Sequence, residues 1–347
     1  MYIKKILWAI ALIGLVVAGY FAYYIYSAMM VPNTAFNNEK AYIYVKSTDD
    51  YNDVREQLEP LLKDIDKFDA LAKQKKYVSN LKAGRFVVKK GMSNNDIINS
   101  IRSKNLPIKV SFNNQNSLEK LAGRIALQIE ADSVSLLKAM KDESFYSDNN
   151  FKTETALGMY LPNSYEFFWN TTAKAFRERM HKEYKRFWNE SRLNKAKSIG
   201  LSEDEVMALA SIVYEESKEP TEQPRIAGVY LNRLKIGMPL QADPTLKFAA
   251  YQLPKYQNTV IKRVLNVHKE IDSPYNTYKY AGLPPGLVAM PDLSAIEAVL
   301  NNEKHKYLYF AADPKRVGFH KFAKTLSQHN VNARAYHKYL SSQGIYK

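Results

Sequence analysis

The sequence predicts an α+β protein: an N-terminal transmembrane helix, small βα modules after it, and a mixed α/β domain in the C-terminal half. Three observations predict this. Residues 6–30 are 25 residues without a charge. Between residues 42 and 125, a short β-rich run followed by helical spacing recurs three times. Beyond residue 150, helical periodicities alternate with loops rich in Tyr, Asn, Pro and Gly. At 347 residues, 46% of them hydrophobic, the chain is long enough for two or three folded units.

The first element follows from length and charge. At about 1.5 Å rise per residue, the uncharged run spans a hydrocarbon core of about 30 Å with some tilt. Lys4 and Lys5 precede it, which favours a cytoplasmic N-terminus and places everything after residue 30 outside the cytoplasm. Tyr20, Tyr23, Tyr24 and Tyr26 sit near its far end, where amphipathic rings favour the interface. A cleaved signal peptide has a shorter apolar region and a small-x-small site, neither of which is present. The reading is a retained single-pass anchor at 6–30, with a cytoplasmic stub at 1–5 and a short linker at 31–40. The net charge of +15 calls for an anionic partner. Outside the cytoplasm that partner is lipid or an acidic wall polymer, not nucleic acid. The chain has no cysteine, which excludes disulfides, thiolate chemistry and Cys-ligated metal sites.

The repeat fills the membrane-proximal region, 41–150. Its first copy runs from residues 42–45 to Asp50, Val54 and Leu58. The second runs from 85–88 to Ser93, Ile97 and Ile101, and the third from 109–112 to Ser117, Leu121 and Ile125. Each has a strand, about four turn residues, an N-cap candidate and apolar residues at helical spacing. Asp53 and Asp96 add an acid to the first helical turn, which favours the helix dipole. Polar residues 147–150 mark the boundary to a second domain at 151–347. There, residues 172–194 read as one long basic helix.

The chemistry concentrates on the helix that follows. Ser202 and Glu205 fit a capping box that starts it. At about 100° per residue, Val206, Leu209, Ala210 and Val213 share an apolar face, with Glu216 at its margin. Glu215 turns to the opposite side, with Asp204 and Ala208. Only Glu216 is placed to lose hydration, and a carboxyl sheltered by hydrocarbon has its pKa pushed up. Such a group suits general-acid cleavage of a glycosidic bond. The plainer reading is a helix-end carboxylate, hydrogen-bonded or paired with Arg225.

Downstream, residues 225–234 carry small and apolar residues at helical spacing, ending in Asn232 and Arg233. Residues 237–245, 273–278 and 282–286 are turn-rich and aromatic, a composition suited to stacking on sugars and bonding their hydroxyls. The six His show no metal-protease pattern, and no nucleophile elbow or phosphate loop appears. His320 and His329 read as residues that settle loops.

These motifs together resemble the YceG-like family of endolytic murein transglycosylases. The resemblance lies in Ala210-Ser-Ile-Val-x-x-Glu216, Arg225, Ala227-Gly-Val with Asn232-Arg-Leu234, and Leu240-Gln-x-Asp-Pro-Thr245. It continues through Pro274-Tyr-Asn-Thr-Tyr278, Gly282-Leu-Pro-Pro-Gly286 and His320-x-Phe322. The segment around 84–104 looks like the family's LysM-like module. Tyr214 stands where the family usually has another glutamate, which leaves Glu216 as the indispensable one. Leu157, Asn163 and Met290 also depart from the family's usual Glu, Asp and Asn.

The resemblance implies a single acid–base residue, Glu216, in a catalytic domain at 151–347 that faces the periplasm or the outside of the membrane. It implies cleavage between N-acetylmuramic acid and N-acetylglucosamine in peptidoglycan, with a 1,6-anhydro end as product and no metal or other cofactor. Gln241, Asp243, Tyr275, Asn276, Tyr278, Arg225 and Asn232 are the implied residues for orienting sugar or polarising Glu216. Peptidoglycan glycan strands, the cytoplasmic (inner) membrane and peptidoglycan synthases are the implied partners. Two other readings compete: a glycoside hydrolase with Asp243 as second carboxylate, and a non-enzymatic wall-binding anchor.

Overall fold

The computed structural model describes residues 2–257, 259–261 and 263–342. The chain forms two compact units. The first comprises Met1–Val110, Gln128–Ala131 and Tyr165–Thr172; the second comprises Ser111–Leu127, Asp132–Ser164 and Ala173–Lys347. The described residues make a mixed α/β architecture whose named strands pair two by two.

In the first unit, α1 (Tyr2–Met30) is long and apolar enough to cross a membrane. Its side chains are exposed along almost the whole helix, and only Ala28 in the last turn is buried. Then come β1 (Lys40–Val45), α2 (Tyr51–Leu58), α3 (Ile65–Gln74), β2 (Gly84–Lys89) and α4 (Asn94–Ser103). Local chemistry explains the helix starts. Asp50 with Asp53, and Ser93 with Asp96, form reciprocal capping boxes that satisfy otherwise orphaned N–H groups. Strands β1 and β2 pair antiparallel with Ile43 opposite Phe86. Period-two alternation sends Ile43 and Val45 inward and Tyr42 and Tyr44 outward. The inward residues meet Val54, Leu58, Ile97 and Ile101 in one core.

Residues 31–40 are not the free linker that their composition suggests. Asn33 donates through its side-chain amide to Asn94 Oδ1 at 2.7 Å and to the Asp64 carbonyl at 2.8 Å, and it accepts from the Asp64 N–H at 3.0 Å. Asn94 in turn donates to the carbonyl of Ala28 at 2.9 Å. Backbone bonds from Asn33 to Met92 and from Ala35 to Leu61 complete the tie. Long-range amide bonding of this kind leaves no periodic trace in a sequence.

The third copy of the repeat has the expected local form, β3 (Pro107–Phe112) and α5 (Leu118–Ala126) with Ser117 as N-cap. Its partners differ: β3 pairs with β4 (Asn163–Phe168), and α5 packs on α6 (Ser133–Met140).

The second unit continues with α7 (Glu143–Asn149), α8 (Ala173–Phe187), α9 (Glu190–Ser198), α10 (Glu203–Glu216), α11 (Gln223–Lys235), α12 (Asp243–Tyr251), α13 (Asn266–Lys269) and α14 (Leu293–Leu300). It ends in the hairpin β5 (Tyr309–Ala312) and β6 (His320–Ala323), then α15 (Leu326–Ser342). The basic stretch expected as one helix is two. Trp188 is buried at the break, and Asn189 caps α9 by accepting from the Arg192 N–H at 3.1 Å.

Helix α10 also differs from expectation. Every residue from Val206 to Val213 is buried, and Ala208, read as part of a polar flank, is only 2% exposed. Helices α9, α11, α12 and α14 pack around it. A helix apolar on all sides belongs in a core. Ser211 is accommodated there because it donates to the Ala208 carbonyl and accepts from the Val288 N–H. Gly228 on α11 permits a close approach, since a Cβ there would lie 2.5 Å from the Glu303 carbonyl oxygen.

The Asn33 tie makes a prediction. Asn33→Ala leaves the Asp64 N–H and Asn94 amide with fewer partners, at a cost of about 2 kcal/mol. Hydrogen exchange at the amides of Ala35 and Lys63 then accelerates on the order of 10- to 30-fold. Unchanged exchange there refutes the tie.

Candidate active site

The site is built where α10 ends. Glu216 is its last residue, half-buried, at the point where the buried stretch of the helix meets solvent. Its Oε1 accepts a hydrogen bond from the Tyr230 hydroxyl at 2.8 Å. Tyr230 sits on α11, is 1% exposed, and packs edge-on against Phe310 of β5. Burial pushes the Glu216 carboxyl up to about 7, and the Asp243 charge adds to that push. The bond from Tyr230 and the charges of His320 and Lys247 act in the opposite direction. The Tyr230 hydroxyl is itself held well above its ordinary value by burial and by Glu216, so it stays a donor.

Asp243 opens α12 one residue before a proline at an early helical position, where its charge suits the helix dipole. Its Oδ1 accepts from the Tyr278 hydroxyl at 2.6 Å. Burial, followed by that bond, raises the Tyr278 hydroxyl too. Two tyrosine–carboxylate pairs thus lie side by side, one sheltered and one exposed. Gln241 adopts a left-handed backbone, φ +50, and its N–H donates to the Thr277 carbonyl at 2.9 Å. Thr277 Oγ1 accepts from the Ala242 N–H at 3.1 Å, which locks the loop before α12 to the loop bearing Tyr278.

The other residues singled out from the sequence take different places. Asn276 is fully buried. Its amide donates to the carbonyls of Lys269 and Ile271, and its oxygen accepts from the N–H groups of Tyr278 and Lys279. With its bonding capacity spent inside the loop, it shapes the segment that presents Tyr278. Tyr275 is buried against Phe248 at 4.5 Å between ring centres. Arg225 pairs with Glu303 at 2.9 Å and not with Glu216. Asn232 donates to the carbonyls of His305 and Tyr307. Both residues hold the segment after α14 onto α11. Glu215 points to solvent and pairs with Lys218 at 2.8 Å, as its helical phase requires.

Sequence reasoning missed Tyr230 and Glu222. Glu222 is 5% exposed and accepts from both the backbone N–H and the ring Nδ1 of His320, at 2.8 and 2.7 Å. Tyr230 lies 14 positions after Glu216 on a separate helix, so only the packing of α10 on α11 joins them. His329 stacks on Tyr309.

A model of the YceG-like family matches residues 43–335. The chain belongs to the YceG-like family. It is 32% identical over 290 residues to a protein named endolytic murein transglycosylase from Bacillus subtilis (strain 168), a match spanning 77% of this chain and 76% of that one. A protein of the same name from Streptococcus pneumoniae (strain D39) is 29% identical over 331 residues, spanning 85% of this chain and 58% of the relative. A crystal structure of a YceG-like protein from Listeria monocytogenes superposes with a TM-score of 0.55 at 27% identity, covering 85% of this chain and 99% of that one. In this YceG-like chain the sheltered acid is therefore set in the part of the sequence that the family model matches.

Two outcomes test the geometry without any substrate. Tyr230→Phe removes a bond that favours the charged form, so Glu216 titrates higher by about one to two pH units. Carboxyl-carbon NMR reads this directly, and an unmoved or lowered titration overturns the assignment. The second concerns stability. Between the ordinary 4.5 and about 7, the folded state holds a proton on Glu216 that the unfolded chain releases. Stability from this group therefore falls as pH rises through that window. Glu216→Gln removes the loss, so the gain in melting temperature over the parent grows from pH 4 to pH 8.

Proposed function

We propose that this protein is a membrane-anchored lytic transglycosylase that cuts the bond between N-acetylmuramic acid and N-acetylglucosamine in peptidoglycan strands. The observation that carries the reading is the single sheltered carboxyl of Glu216, raised to about 7 and held by Tyr230. The names of the relatives from Bacillus and Streptococcus support the same substrate.

In this mechanism protonated Glu216 gives its proton to the glycosidic oxygen. The C1–O bond breaks, its electron pair stays with the leaving 4-hydroxyl, and C1 becomes oxocarbenium-like. The Glu216 carboxylate then takes the proton of the muramyl C6 hydroxyl as O6 bonds to C1. The product is a 1,6-anhydro end, Glu216 is protonated again, and no water is consumed. Tyr230 keeps the carboxylate oriented between the two steps. Asp243, exposed beside it, stabilises positive charge at C1, and Tyr278 fixes its orientation. Exposed Gln241 reaches sugar hydroxyls, and Asn276 and Tyr275 shape the wall behind Tyr278. Arg225 and Asn232 act by anchoring the segment that follows α14.

Around this chemistry, α1 serves as a single-pass anchor in the cytoplasmic membrane with its N-terminus inside. The βα unit around 84–104 serves as a LysM-like glycan contact, and peptidoglycan synthases supply the strands. With Asp243 instead acting as base for a water molecule, the same acid would make a hydrolase.

Digestion of purified glycan strands followed by mass spectrometry decides the chemistry. Anhydro ends are expected; reducing ends favour the hydrolase, and intact strands with a folded protein defeat both. Glu216→Gln lowers turnover at least 1,000-fold on the order expected for loss of an essential acid. In the parent, activity declines as pH rises through about 7, because the acid form of Glu216 is lost.

A further inference from the structure

A second polar feature lies at the other flank of the same helix end. A groove of about 590 Å³ is lined by Asn113, Asn114, Arg124, Asn163, Ser164 and Asp292, among others. Its lining is mainly amide, hydroxyl and charged groups beside Phe112 and Pro162, with Asn113, Asn163 and Ser164 exposed. Nothing in the acid–base chemistry of Glu216 uses it.

Two contacts join this groove to the catalytic helix. The Tyr214 hydroxyl donates to Asn114 Oδ1 at 2.9 Å. Asp292 lies near enough for its charge to bear on that same hydroxyl. Asn114 is fixed from the other side, since its amide donates to the Met290 carbonyl at 3.0 Å and the Met290 N–H donates to the Gln115 carbonyl. One lining amide, that of Asn114, is therefore held between the last turn of α10 and the segment before α14. Lys218 lies 3.3 Å from the centre of the Tyr214 ring while pairing with Glu215.

Helical geometry sets the spacing. Tyr214 and Glu216 are two positions apart, which turns them about 200° from one another. The helix with its side chains is about 10 Å across, so the two flanks are separated by a distance that a few linked sugars span. A polymer crossing the C-terminal end of α10 meets the sheltered acid on one side and the amide groove on the other. The Asn113 and Asn163 side-chain oxygens each accept one bond, from Gln115 at 2.9 Å and from the Ser164 N–H at 2.7 Å. An amide oxygen has a second lone pair beside the amide donors, so such groups complement ring hydroxyls and acetamido groups.

We propose that this groove is a remote subsite for an N-acetylated sugar of the glycan strand, away from the bond that is cut. This rests on the transglycan-cleaving reading of Glu216. The subsite makes the enzyme sensitive to strand length: a long strand engages both flanks and a short one engages only the acid side. Binding at two linked places adds affinity without changing the chemistry at the bond.

The test uses the full-length protein in detergent with Glu216→Gln, so that strands bind without being cut. Purified peptidoglycan fragments of four and eight sugars are the probes. The eight-sugar fragment binds on the order of 10-fold tighter than the four-sugar fragment, as one added polar subsite supplies about 1.4 kcal/mol. Asn163→Ala combined with Asn113→Ala lowers that ratio to below about 3, with the melting temperature held; both residues are exposed, so the fold tolerates the change. Asn114→Asp, which keeps the acceptor for Tyr214, serves as a second variant with altered groove charge, and it too lowers the ratio. Equal affinity of the two fragments, or a ratio unmoved by the variants, overturns the subsite. Cleavage by the parent is measured beside these: absence of any cleavage defeats the functional reading itself, whereas cleavage with no length dependence defeats the subsite alone.

Discussion

A carboxyl group half out of water is the constraint around which the second unit is arranged. Glu216 has its unusual proton affinity because burial at the end of α10, a helix with no polar face over eight residues and packed by α11 and α12, strips its hydration. Removing hydration from a charge costs several kcal/mol, and a protein lowers that cost by neutralising the group or by giving it a donor. Both happen here. Burial holds the proton on, and the Tyr230 hydroxyl makes the charged form tolerable when the proton leaves. A group balanced between two forms can give a proton and take one back.

The neighbouring carboxylate shows what environment does to identical chemistry. Asp243 also has a tyrosine donor, at a shorter 2.6 Å, yet it is exposed at a helix N-terminus. One carboxyl is sheltered and held by Tyr230, and the other is exposed and held by Tyr278. The difference comes from burial: Glu216 closes a buried helix, whereas Asp243 opens a helix at an exposed position.

Much of this was legible one element at a time. Caps and local periodicity act over three or four residues, so Asp50, Ser93, Ser117 and Ser202 announced their helices, and Val54, Ile97 and Leu121 announced the faces that pack. The phase of Glu215 against Glu216 was readable for the same reason. What was hidden depends on contacts between distant segments. Tyr230 and Glu222 acquire meaning only when α11 lies against α10 and the hairpin closes on it. Asn33 looked like part of a linker because its three bonds reach residues about 30 and 60 positions away. Ala208 looked polar-facing because a helical wheel assumes one wet side, and α10 has none along its middle. Arg225 and Asn232 were recognisable as part of a pattern, but the pattern does not say that they hold the chain after α14.

The tie at Asn33 and Asn94 has a mechanical meaning. Helix α1 has no swivel where it leaves the apolar stretch, because its last turn is bonded into the core of the first unit. A helix in a bilayer adjusts its tilt to the thickness of the hydrocarbon around it. With α1 in the proposed anchoring role, the bonded joint passes that tilt on to the βα module rather than to slack chain. Under that proposal lipid composition becomes a mechanical input, with bilayer thickness setting the lean of the module joined to α1.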